Sequence, residues 1–95
     1  MYDPHPIEGD TFFISPELTV LTEDISESIH DVWGRKCLDQ GWVWGSERND
    51  SLHTNPRLVP YSELSELEKD DDRCLVLETI RLILSNGYTI EKRGF

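Results

Sequence analysis

The chain has 95 residues, a length that predicts one domain, and a formal net charge of −10 from 19 acids against 9 bases. So negative a surface repels phosphate backbones and argues against non-specific nucleic-acid binding, although a small anion held in a local basic pocket stays open. No stretch reaches the roughly 18 consecutive apolar residues of a membrane span, the start "MYDPHPIEGD" has no signal-peptide character, and two cysteines make no disulfide framework, so a reduced, cytoplasmic protein is expected.

Residues 1–22 carry Pro4, Pro6 and Pro16, with apolar "FFI" at 12–14 and "LTVL" at 18–21. They are expected to form an N-terminal arm with short strand-like pieces, leaving 23–95 as the domain proper. A helix is predicted over 23–40. Thr22 is its expected N-cap, Glu23 and Asp24 complement the helix dipole, and Ile25, Ile29, Val32, Trp33 and the stem of Lys36 share one face. Gly34 inside this helix costs about 1 kcal/mol against alanine and suggests close approach by another backbone. Gly41 fits the left-handed position after the helix.

"WVW" at 42–44 alternates and reads as a short strand ended by Gly45, with Trp42 and Trp44 on the same face. "LVPY" at 58–61 is a second extended piece, because Pro60 biases Val59 away from helix. Ser65 to Glu68 spell S-x-x-E, the capping box, and predict a second helix over about 66–86, stopped by Gly87. Val76, Leu77, Ile80, Ile83 and Leu84 form its apolar stripe, and Cys74 beside it is expected in the core. "YTI" at 88–90 closes the chain as a last extended stretch. The fold class is therefore mainly α with short β segments: two antiparallel helices plus short strands.

In order, "HDVW" (30–33), "GWVWG" (41–45), "NPRLVPYSEL" (55–64) and "LETIRLILSNGYTI" (77–90) resemble the repeat domain of ryanodine receptors, the RyR domain. The resemblance spans about 25–90. It implies the two-helix fold, and it is closest in kind to stand-alone copies found in bacteria and their viruses. Repeats of this family are associated with adenine-nucleotide-type ligands held between paired copies, so the resemblance implies a ligand-binding module and a homodimer. Channel activity does not carry over without a pore segment. The chain departs from the family pattern at "RND" (48–50), where "RDD" is common, and at Ser65, where proline is common.

The candidate ligand-binding residues are His30, Trp33, Trp42, Trp44, Arg48, Arg57 and Tyr61. An exposed indole stacks on a planar ring, and a guanidinium fork suits phosphate or carboxylate. Each has a plainer reading: the tryptophans as core, His30 as a structural hydrogen-bonding residue, the arginines paired to the many acids. His30, Cys37, His53 and Cys74 lack zinc-site spacing, no cofactor is expected, and no nucleophile elbow or phosphate-binding glycine loop points to an enzyme. The second functional class is an acidic interaction adaptor, because "ELSELEKDDD" at 63–72 carries six acids and one lysine.

Overall fold

The computed structural model describes residues 1–5 and 14–94. It contains helix α1, Pro16–Asp39, a single 3-10 turn, Tyr61–Glu63, and helix α2, Glu66–Ser85. Ser15 and Asp24 share a groove with Ile90 and Lys92, beyond the end of α2, while Trp33 shares a cleft with Leu64 and Glu68 at its start. The two helices are therefore antiparallel.

Helix α1 begins about two turns before the expected Thr22 cap. Ser15 is the N-cap, its hydroxyl accepting from the Leu18 amide at 3.2 Å, and Pro16 occupies the first turn. Proline is well suited there, since its missing N–H has no partner to lose and its φ is preset. The "LTVL" segment is accordingly helical rather than strand-like. Residues 12 and 13 of "FFI" lie outside the described residues.

The buried face of α1 matches the predicted one only in part, with Ile25 and Trp33 half-buried. Thr22, Ser26 and His30 are buried, while Ile29 is 42% and Val32 68% exposed. The hydroxyls explain how polar residues line this interface without penalty. Thr22 Oγ1 donates to the Leu18 carbonyl and Ser26 Oγ to the Thr22 carbonyl, each at 2.8 Å. Back-bonding of this kind satisfies the buried donors, at the cost of a slight weakening of the helix. Small side chains on this face present little bulk to α2. Gly34 has open space where a Cβ would sit, so no backbone crowds it.

Helix α2 starts as predicted. Ser65 Oγ accepts from the Glu68 amide at 3.1 Å, and Glu68 Oε1 accepts from the Ser65 amide at 3.0 Å. Val76 and Ile80 are buried and, with Tyr61 and Leu64, form the apolar core. Leu77 and Leu84 are half-buried, Ile83 is 39% exposed, and Cys74 is exposed rather than in the core, two positions from Val76 and hence on another face of the helix. Gly41 and Gly87 take φ of 88° and 89°, the left-handed conformation expected after each helix.

No strand forms among the described residues. The expected "WVW" strand is reduced to one isolated bridge, Val43 to Thr54, with a second from Asn49 to the same threonine. Both use Thr54, so neither extends into a ladder. Tyr61 enters the 3-10 turn instead of continuing an extended piece, and residues 88–90 pair with nothing regular.

One ionic cluster fastens α1 to the other elements. Arg73 forks onto Glu23, Nε to Oε2 at 2.7 Å and Nη2 to Oε1 at 2.8 Å, and its Nη1 donates to Glu66 and Asp70. The Tyr61 hydroxyl donates to the same Glu23 carboxylate at 2.9 Å. Arg73 holds the Glu23 carboxyl below its ordinary 4.5. Burial, then the bond to Glu23, pushes the Tyr61 phenol up to about 12. Because the carboxyl pKa is depressed on folding, its contribution is present above pH ~4.5 and lost as pH falls through the lowered value. The phenol works in the opposite sense: its contribution is complete below pH ~10 and lost as pH rises through about 12. Glu23→Gln is expected to lower stability at neutral pH by about 1–2 kcal/mol, the partial exposure of the pair discounting the usual charged hydrogen-bond value. It should also flatten the loss of stability below pH ~4.5; urea unfolding between pH 3 and 7 checks both.

Candidate functional site

The segment from Trp42 to Arg57 is a loop tied to itself and to both helices. At its base Gly45 passes so close to Thr54 that a Cβ at Gly45 would lie 2.5 Å from the Thr54 Cβ. Only glycine permits this approach. Thr54 Oγ1 donates to the Glu47 carbonyl at 2.8 Å. Asn49 exchanges both backbone hydrogen bonds with Thr54, and its side chain accepts from the Leu52 amide at 3.0 Å. The asparagine that departs from the family's "RDD" is thus a turn-closing residue here.

His53 has φ of 55°, uncommon for a residue with a side chain. That conformation accompanies a ring contact with Trp42, centroids 4.9 Å apart. Arg48 lies over the same indole, with Cζ 5.6 Å from the ring centre, and its Nε donates to Asp50 at 3.0 Å. Trp42 is therefore half-buried between His53 and Arg48, while Trp44, two residues on, is 58% exposed. Their expected common role on one strand face does not hold, because the strand is absent.

From α1, His30 sets its Nε2 2.7 Å from the Val59 carbonyl. A carbonyl only accepts, so this nitrogen carries the proton and donates it to Val59. The imidazole also lies against Trp33 and Tyr61, at centroid distances of 5.4 and 6.1 Å. His30 thus pins residues 58–60 to α1.

Arg57 is braced by α2. Its Nη1 donates to Asp71 at 2.9 Å, its Nε stands 3.3 Å from Glu68 Oε2, and its amide donates to Asn55 Oδ1 at 2.8 Å. Glu68 thereby joins the capping box to the loop, and the Ser65 hydrogen bonds hold its carboxyl below the usual value.

These elements enclose a cleft of about 510 Å³ walled by His30, Trp33, Arg48, Asn55, Pro56, Arg57, Leu64, Glu68 and Asp72. Its size lies within the range of small-molecule pockets. Four of the predicted residues, His30, Trp33, Arg48 and Arg57, line it. Trp42 stands behind, as the surface on which Arg48 rests. Trp44 is not in its wall. Neither is Tyr61, whose burial and bond to Glu23 give it a structural role. Asn55, Glu68 and Asp72 were not singled out by sequence. Glu68 was marked only as a capping residue, and nothing local distinguishes Asp72 from its acidic neighbours. No described helix is long and apolar enough to cross a membrane, and no group of three or more metal-ligating side chains converges among the described residues.

The family model of the RyR domain matches residues 2–92, and the chain belongs to that family. The match takes in the cleft and both helices, and starts well before the first motif that carries the resemblance.

Truncating the two residues that wall or border this loop should have unequal costs. His30→Ala removes the bond to Val59 from a buried position and should lower stability by about 1–3 kcal/mol. Trp44→Ala, at an exposed site, should stay within about 0.5 kcal/mol. Urea denaturation followed by circular dichroism compares them; equal losses would contradict the arrangement described.

Proposed function

We propose that this RyR domain is a non-enzymatic binding module, and that a small, planar, nucleotide-like anion seats in the cleft. The observation that carries this is the meeting of Trp33, His30, Arg48 and Arg57 around one cavity. Trp33 offers a half-buried indole wall, and stacking of a base on an aromatic is worth about 1–3 kcal/mol. Arg48 and Arg57 supply the positive charge. Both are engaged by carboxylates of Asp50, Glu68 and Asp71, but these pairs are solvent-exposed to a large degree. Exposed pairs are worth only about 0–1 kcal/mol, so an anionic ligand exchanges with them at small cost. The Asn55 amide, whose oxygen is taken by the Arg57 backbone, has its NH₂ for the same anion. A homodimer forms part of this reading, a second copy covering apolar side chains such as Val32, which is 68% exposed.

The adaptor reading has less support. Of the six acids of 63–72, Glu66, Glu68, Asp70 and Asp71 are paired within the chain, to Lys69, Arg57 and Arg73. A basic partner would have to compete for most of them.

Titration calorimetry with mono-, di- and cyclic nucleotides tests the proposal. At least one should bind, and Arg57→Ala should weaken it about 10-fold, the loss of one charge-assisted hydrogen bond. Flat titrations at millimolar ligand across the panel would remove the anion reading.

A further inference from the structure

The cleft has a second polar wall. Glu68 and Asp72 face into it from successive turns of α2. Glu68 is fully engaged, with one oxygen in the capping box and the other beside Arg57. Asp72 is different. It is half-buried and lines the cleft, and its carboxylate makes no hydrogen bond or ion pair among the described residues. Its neighbours Asp70 and Asp71 are both paired.

We propose that Asp72 is the specificity-determining residue of this cleft and that the ligand is a guanine-type nucleotide. The base edge meets Asp72, and the phosphate lies at Arg48 and Arg57. The inference rests on the nucleotide reading above and extends it to the identity of the base. A carboxylate presents two acceptor oxygens in one plane and donates nothing. When a ligand excludes water from it, that group must be met by N–H donors, and leaving it unmet costs more than the contact gains elsewhere. Two parallel N–H groups match it best, as in the fork of arginine on carboxylate.

Among the common bases only guanine carries such a pair, its ring N1–H beside the 2-amino group. Hypoxanthine keeps the N1–H alone. Adenine sets its amino group beside a ring nitrogen that is an acceptor and faces the carboxylate unfavourably. The net charge of −10 works in the same direction, because each further phosphate adds repulsion from the whole surface. A monophosphate is therefore the suitable probe.

The test uses the full chain and calorimetric titration with guanosine, inosine and adenosine 5′-monophosphates. GMP should bind about 10-fold or more tightly than IMP or AMP, the discrimination expected of one bidentate base contact. Asp72→Asn replaces one acceptor by a donor. It should weaken GMP about 10-fold and bring it level with IMP, while Arg57→Ala should weaken all three alike. Because the Asp72 carboxylate has no partner among the described residues, the melting temperature of Asp72→Asn should match that of the parent, which separates loss of recognition from loss of fold. Equal binding of GMP and IMP, or an Asp72→Asn variant that still prefers GMP, would overturn the assignment while leaving a nucleotide site in place. If none of the three binds at millimolar concentration, the nucleotide reading falls, and this assignment with it.

Discussion

The Glu23 carboxylate is the point from which the rest of the arrangement is determined. One oxygen accepts from both Arg73 and Tyr61 and the other from Arg73. Three elements, α1, the 3-10 turn and α2, therefore meet at a single acid. Only four apolar side chains are buried among the described residues, so the hydrophobic term available to hold the helices together is small. In a chain of this size a multidentate, partly shielded ionic contact carries more of the geometry than it would in a larger core. With Glu23 and Arg73 aligned, His30 lies two turns further along α1 and reaches the Val59 carbonyl. The cleft then forms between the C-terminal half of α1, the start of α2 and the loop.

The interface between the helices is unusual in being lined on the α1 side by threonine, serine and histidine. Each satisfies its own polar group, two on the preceding turn and one on the loop. Ile29 and Val32 lie on the flank of α1 and meet solvent, while Leu18 and Ile25 are half-buried. A sequence pattern weighted by hydrophobicity points to that flank, because it has no means of seeing that the hydroxyls are internally bonded.

What the sequence disclosed was mostly local. The capping box at Ser65, the left-handed glycines 41 and 87 and the existence of both helices all depend on residues within a few positions of one another. The start of α1 lies at Ser15 and Pro16, themselves a start signal, within the stretch expected to be an extended arm. The strand expected at "WVW" does not form because only Trp42 packs, against His53 and Arg48, while Trp44 stays exposed and Val43 makes one isolated bridge. The site was half legible. Aromatic and arginine residues near a glycine turn pointed to His30, Trp33, Arg48 and Arg57, but the carboxylates opposite them come from a helix that lies beyond the loop in sequence. Long-range pairings such as Arg73 with Glu23 leave no local trace.

Glu68 is at once the third residue of a helix cap and the brace of a cleft-wall arginine. Helix nucleation and the poise of the cleft wall are thereby one equilibrium seen from two ends. Anything that draws the Arg57 guanidinium outward loosens its grip on a carboxylate that the first turn of α2 needs, and fraying of that turn in turn releases the guanidinium. By thermodynamic reciprocity, any molecule that drew Arg57 away from Glu68 would also alter the integrity of that turn, and amide exchange rates at its opening residues would report it.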